Sequence, residues 1–325
     1  MSINTKKVIK NAYRISKVRG QTALRIRVPG GHIETRFFAL IDEIASRFGN
    51  GTAHITTRQG LELPGIDFER IPEINKMIRP LLESLGLDRE ITDDGYPSAG
   101  TRNICACIGN RVCTFANDDT TAMARELERA VYPNDLHFKI AVSGCPNDCI
   151  KAALNDFGIL CTVEPVYDAS RCIACSACVE TCAKAVTGAL SLRDFSVLRN
   201  RELCIGCGEC IRKCPTGATR RSPEKSYRLV IMGRTGRKNP RMAETFLKWA
   251  DRESIVKIIQ NGYAFAQRHI DRSLEKEHVG YIVDRTGFAT FKDEVLQDVR
   301  LGEKVIVAKH IQWGGYRYTS DAGFR

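Results

Sequence analysis

Fourteen cysteines punctuate this 325-residue chain, and eight of them fall into one repeated spacing. Cys172, Cys175, Cys178 and Cys182 follow C-x₂-C-x₂-C-x₃-C, and Cys204, Cys207, Cys210 and Cys214 repeat it, ending in Cys214-Pro215. Three thiolates on one tight loop can cap three corners of an iron–sulfur cube, and a fourth completes it. Zinc would use only paired C-x₂-C units and leave the remaining cysteines idle. A disulfide framework belongs to small secreted chains. The basic opening stretch lacks the apolar segment of a secretory signal, so free thiols in a reducing compartment are expected.

A second set is sparser. Cys107 and Cys113 are spaced C-x₅-C, and Cys145 and Cys149 are spaced C-x₃-C within Ser143-Gly144-Cys145-Pro146-Asn147-Asp148-Cys149. On spacing alone this suggests one more four-thiolate site, with buried unpaired cysteines as the alternative. A radical-SAM site would need a further cysteine two residues beyond Cys149, and a c-type haem would need C-x-x-C-H; neither is present. Cys105 and Cys161 are left over and are expected in the core. His32, His54, His269, His278 and His310 show no paired spacing and are assigned no role.

The eight-cysteine segment resembles a two-cluster bacterial ferredoxin. That resemblance implies one [4Fe–4S] cluster on Cys172, Cys175, Cys178 and Cys214, and another on Cys204, Cys207, Cys210 and Cys182. Ala183 stands where the pattern has proline after the fourth cysteine. The second set, C-x₅-C followed by G-C-P-N-x-C, resembles the coupled siroheme/[4Fe–4S] pattern of the nitrite/sulfite reductase family, especially its dissimilatory-type members from Ser143 to Asp156-Phe157. Arg25-Ile26-Arg27-Val28-Pro29-Gly30-Gly31 and Thr56-Thr57-Arg58-Gln59 are similar to that family's ferredoxin-like half-domain. The resemblance spans about residues 20–290.

The family resemblance implies siroheme and three [4Fe–4S] clusters in all, with Cys149 shared between a cube and the siroheme iron. It implies sulfite as substrate, reduced by six electrons to sulfide; nitrite reduction and a siroheme-free electron carrier are the alternatives. Arg25, Arg102 and Lys139 match the family's substrate-side cations, while His137 stands where the family has a lysine. Arg58 and Thr56 match siroheme-binding positions, and Asn147 lies within the G-C-P-N motif beside Cys149. Flavin-bearing and iron–sulfur partners in an NADH-linked complex are implied as electron donors. Because the chain holds one copy of a unit that larger relatives hold twice, a homodimer sharing the siroheme pocket is expected, with completion by a different partner as the alternative.

These side chains need a scaffold. Leu24, Ile26 and Val28 alternate with polar residues over 22–28 and predict a strand, broken by Pro29-Gly30-Gly31. Residues 34–48 place Phe37, Phe38, Ile41, Ile44, Ala45 and Phe48 on one helical face. Short strands are expected at 52–57 and at Leu61-Glu62-Leu63. Pro72 opens a helix carrying Ile74, Met77, Ile78, Leu81, Leu82 and Leu85, stopped by Gly86. Further along, a helix is predicted over 118–131, a strand from His137 to Val142, a strand from Tyr227 to Met232, helices across about 241–272 and a last strand near 304–311. The fold class expected is α+β, in three parts: a ferredoxin-like half-domain over 1–90, a siroheme/[4Fe–4S] domain over 91–163 and 224–325, and an inserted ferredoxin domain over 164–223.

Composition fits this reading. Apolar residues make up 43%, ordinary for a globular protein, and no stretch is apolar enough to span a bilayer, so a cytoplasmic location is expected. The net charge of +11 favours an anionic substrate or cofactor. Nucleic acid is disfavoured, because no recognition motif or dense basic run accompanies the charge.

Overall fold

The computed structural model describes residues 11–311 apart from 90, 92–94, 99, 236–239 and 275–276. Two sheets dominate. The first is four-stranded, in the order β1 (Tyr13–Ile15), β2 (Gln21–Ile26), β4 (Leu61–Asp67), β3 (His54–Ile55), with antiparallel pairing throughout. Leu24 and Ile26 point into its core while Arg25 faces away, as the period of two requires. Helices α1 (Phe38–Phe48) and α2 (Ile71–Leu85) belong to the same core through Ile41, Ile44, Phe48, Ile74, Ile78 and Leu82. Each such side chain, fully buried, contributes roughly 1.5–3 kcal/mol. Phe38 departs from expectation: it is 51% exposed, because the chain enters the helix through a tighter turn at Thr35–Phe37 that rotates the apolar stripe. Gly86 ends α2 in the left-handed region (φ +69), which lets the Leu87 amide reach back to the Leu82 carbonyl.

The second sheet runs β14 (Ile306–Val307), β13 (Glu244–Ala250), β12 (Ser226–Ile231), β7 (Phe157–Thr162), β6 (Ile140–Ser143), β5 (Cys105–Ala106). Strands β5, β6 and β7 are mutually parallel; the others pair antiparallel. Helices α3 (Thr120–Val131), α6 (Arg252–His269), α7 (Val279–Thr286) and α8 (Phe288–Val295) share its core. Asp119 caps α3 by accepting from the Thr121 and Ala122 amides.

One expectation is corrected here. Residues 244–250 form strand β13, not helix, and the helix begins only at Arg252. Phe246, Leu247 and Ala250 are all fully buried, so the segment is covered on both faces and lacks the alternation that marks a half-exposed strand.

Between β7 and β12 lies the cysteine-rich insertion. Those strands are adjacent, with Thr162 paired to Ser226, so the insertion grows out of one hairpin. A short ribbon, β8 (Pro165–Tyr167) with β11 (Thr219–Arg221), forms its stem. Beyond it stand helix α4 (Ala177–Ala185), hairpin β9 (Leu190–Arg193) with β10 (Ser196–Arg199), and helix α5 (Glu209–Lys213). Its small core includes Cys178, Cys182, Leu190 and Cys210.

Candidate redox and anion site

Each thiol set occupies its own place. One hollow in the insertion is lined by Cys182, Cys204, Cys207 and Cys210, and a second by Cys172, Cys175, Cys178 and Cys214. The fourth cysteine of each motif therefore crosses to the other motif's loop. Gly206 and Gly208 adopt positive φ, which lets the Cys204–Cys210 loop curl back on itself. Burial pushes the Cys210 thiol up to about 12, and Cys204, Cys207, Cys178 and Cys182 add to the rise as thiolates. Four thiols so disposed fit an iron–sulfur cluster, whose cationic irons would hold them deprotonated.

The third set lies at the carboxyl ends of β5 and β6. Cys107 follows β5, while Cys145 and Cys149 follow β6. The Gly144 amide donates to Cys107 Sγ at 3.0 Å. A Cβ on Gly144 would sit 2.7 Å from the Ala116 Cβ and 3.3 Å from Cys107 Sγ, so only glycine allows this approach. Burial raises the Cys145 pKa, and the nearby Cys113, Cys149 and Cys107 raise it further. All four expected thiols are thus neighbours. Cys149 is exposed, as is Asn147, on the loop after β6. Cys105 and Cys161 are buried within strands, at 4% and 0% exposure, and neither faces a thiol hollow.

The candidate cations meet elsewhere. A cavity of about 640 Å³ is lined by Arg14, Arg25, Arg27, Arg58 and Arg102, together with Thr56, and Glu62 is the one carboxylate on its wall. Burial lowers the Arg102 pKa, and the charges of Arg27 and Arg14 lower it further. Arg25 is lowered in the same way by burial and then by Arg102. The cavity therefore carries uncompensated positive charge, which an anion or a polycarboxylate macrocycle would relieve.

Lys139 lies beside this cluster. Burial lowers its pKa, Asp156 opposes the shift, and Arg58 and Arg102 reinforce it. Burial alternates from Leu136 to Ile140, so His137 shares the partly exposed face with Lys139. Neither residue lines the cavity, nor do Asn147 and Cys149.

Arg58 is held by the protein itself. Its guanidinium donates to the Asn103 carbonyl (3.0 Å), Asn155 Oδ1 (2.8 Å) and the Ile140 carbonyl (2.7 Å). Three of its five N–H groups are used there, and the others remain for a ligand. Next to it, the Gln59 amide pairs with both backbone groups of Ala106 at 2.7 and 2.8 Å, like an added strand rung.

Two positioning residues carry no sequence signature. Asn103 donates to the Val28 and Arg58 carbonyls (2.9 and 2.6 Å) and accepts from the Val28 amide at 2.9 Å, clamping the first sheet onto the second. Asp156, 1% exposed, accepts from the Lys139 and Val279 amides and contacts His278 Nδ1. An Asn103→Ala variant strands three buried backbone groups. It is expected to cost about 2–4 kcal/mol, at roughly 1–3 kcal/mol for each unsatisfied group with partial rescue by water. Denaturant titration checks this, and a loss under 1 kcal/mol would remove the clamp.

The geometry separates the two sets. Arg102 and Lys139 precede β5 and β6, and the cysteines follow them. Five to six extended residues intervene, or about 16–20 Å along the strands.

Comparison with known proteins agrees with this arrangement. Residues 98–305 match the family described as "Nitrite and sulphite reductase 4Fe-4S domain". Residues 14–81 match "Nitrite/Sulfite reductase ferredoxin-like half domain". The C subunit of the anaerobic sulfite reductase of Salmonella typhimurium is 41% identical over 309 residues, covering 94% of this chain and 92% of that one. The coenzyme F420-dependent sulfite reductase of Methanocaldococcus jannaschii is 30% identical over 282 residues, 85% of this chain and 42% of that protein. Among solved structures, dissimilatory sulfite reductase I shares the fold with a TM-score of 0.64 at 17% identity, over 94% of this chain and 74% of that one. Mycobacterium tuberculosis NirA does so at 0.56 and 15%, over 89% and 44%. Among the described residues, no helix is long and apolar enough to cross a membrane.

Proposed function

The chain belongs to the nitrite and sulphite reductase family, and from that premise we propose that it is the catalytic subunit of a sulfite reductase. The observation that carries the reading is the gathering of Cys107, Cys113, Cys145 and Cys149 around Gly144 in a chain that also holds an arginine-lined cavity. Those four thiols would hold a [4Fe–4S] cluster, with Cys149, the exposed one, shared with siroheme. The two hollows of the insertion would hold two more. When bound, these groups supply the six electrons that convert sulfite to sulfide.

The chain's own residues do the remaining work. Arg25 and Arg102 would hold the substrate oxyanion, since guanidinium remains charged and offers paired N–H donors. Their mutual repulsion, unrelieved without a ligand, favours an anion between them. Lys139, whose lowered pKa eases release of a proton from Nζ, would protonate departing oxygens, with His137 beside it. Arg58 and Thr56 would meet the macrocycle's carboxylates, and Asn147 would order the loop bearing Cys149.

The separation of thiols from cations along β5 and β6 favours a pocket built by two copies, the cysteines of one facing the arginines of the other. Ile108 and Val112, 52% and 75% exposed beside Cys107 and Cys113, supply apolar surface for such a face. Kinship with one member of a multi-subunit reductase supports flavin-bearing and iron–sulfur donor proteins in the same complex.

The test is turnover of sulfite against nitrite with a reduced viologen, alongside the absorption spectrum of anaerobically purified protein. Sulfite is expected as the better substrate, with siroheme bands present. An Arg102→Ala variant is expected to lose about 10²–10³-fold in kcat/KM, the usual cost of one preorganised charge-stabilising donor. Preference for nitrite would move the assignment within the family, and absence of the macrocycle would reduce the protein to a carrier.

A further inference from the structure

The two thiol hollows of the insertion are not equivalent. The Cys204–Cys210 loop rests on the large sheet. The Val163 amide donates to the Gly206 carbonyl at 3.0 Å, and a Cβ on Gly206 would lie 2.6 Å from Thr162 and 3.1 Å from Trp249. From α5, the Arg212 guanidinium stacks 4.3 Å over the Phe115 ring, two residues from Cys113. This hollow therefore abuts the loop of the third thiol set.

The other hollow faces away. Thr219 lines it and pairs with Tyr167, two rungs along the stem beyond the Arg221–Pro165 pair that adjoins the sheet. Ile173 on its cysteine loop is 65% exposed, and Cys175 is exposed too. Val197 also lines it, which brings the turn of the β9–β10 hairpin alongside. At that turn Phe195 is 83% exposed with φ +59, an uncommon conformation for a bulky side chain. A large aromatic held in solvent is the kind of residue that anchors a protein partner. Arg171 and Arg193, both exposed, add positive charge at this end.

We propose that the insertion conducts electrons in one fixed order: a donor protein docks at the outer face around Ile173 and Phe195, the Cys172/Cys175/Cys178/Cys214 site accepts each electron, and the Cys182/Cys204/Cys207/Cys210 site delivers it across the Arg212–Phe115 contact. The donor is a one-electron iron–sulfur or reduced-flavin protein whose docking face is apolar and ringed by carboxylates. It is oxidised by one electron at each transfer and the outer site is reduced by one. This rests on the cluster assignment above, but it assigns separate roles to two sites that the motif repeat makes look alike.

The experiment uses full-length, anaerobically reconstituted protein. Electron paramagnetic resonance of the reduced protein reads magnetic coupling to the Cys107/Cys113/Cys145/Cys149 site. A Cys207→Ser variant is expected to abolish that coupling, and Cys175→Ser to preserve it; the reverse overturns the order. A second measurement spares every ligand. Phe195→Asp, tolerated at positive φ, is expected to weaken donor binding about tenfold or more, the loss of one anchor worth ~1.4 kcal/mol. Reduction by dithionite should be unchanged. Leu203→Asp, at a 50% exposed position beside Cys204, should leave binding intact. Weakening by Leu203→Asp with none by Phe195→Asp places donor entry at the inner site and overturns the proposal. A protein with no signal from the third thiol set would instead defeat the enzyme assignment itself.

Discussion

Changing Cys149 to serine is expected to abolish sulfite reduction while leaving a folded protein that retains the iron of both insertion sites. Cys149 is exposed on the loop after β6 and contributes nothing to any packed core, so its loss costs little stability. Its thiol, however, completes the set around Gly144, and a serine oxygen is a harder, less polarisable ligand than the thiolate these clusters prefer. The siroheme bands and one cluster's worth of iron should disappear together. Cys161→Ser is the informative contrast. That residue is fully buried in β7, and its hydroxyl would be buried at a cost of roughly 1–3 kcal/mol unless it finds a partner. The Cys161→Ser protein should melt earlier yet keep its cofactors. Full macrocycle absorption and turnover in Cys149→Ser would remove the shared-ligand reading.

A Glu128→Ala protein is expected to lose about 3–5 kcal/mol of stability, the usual consequence of stranding one member of a buried ion pair. Arg27 and Glu128 side chains are 5% and 2% exposed, with Nη2 and Oε1 2.5 Å apart. Arg27 Nε also donates to Oε1 at 2.7 Å, Nη1 donates to the Thr101 carbonyl at 2.6 Å, and the guanidinium lies 5.0 Å over the Tyr132 ring. Arg27 leaves the end of β2 and Glu128 belongs to α3, so the pair ties the small sheet to the large one. Because Arg27 also forms part of the arginine-lined wall, the same variant should disturb anion binding. Replacing both residues by apolar ones of similar size, Arg27→Met with Glu128→Leu, should recover much of the stability but not the binding. Denaturant unfolding and sulfite titration separate the two effects; a loss below about 1 kcal/mol in Glu128→Ala would mean the pair is not buried in solution.

The twelve ligand cysteines were legible because cluster binding is a local constraint: a loop that caps three corners of a cube must space its thiols closely, so chemistry is written directly into sequence. Leu24 and Ile26 in β2, and the apolar face of α2, were legible for the same reason, since period and burial coincide there. Segment 244–250 was not, because a strand covered on both faces has no period to read. Asn103 and Asp156 were silent as well. Each acts on backbone groups more than twenty residues away or across a sheet interface, and nothing in the local sequence distinguishes them from ordinary loop residues. The placement of Arg25, Arg58 and Arg102 around one cavity is likewise a product of tertiary folding; only similarity to family motifs singled them out beforehand.

The insertion leaves and re-enters between two neighbouring strands of a single hairpin, where Thr162 pairs with Ser226. Because its two ends are already side by side, its presence or absence imposes almost no constraint on the rest of the molecule. A lineage could acquire, exchange or discard the electron supply at this junction without renegotiating the catalytic core, so the choice of donor and the chemistry at the sulfur atom are free to evolve on separate schedules.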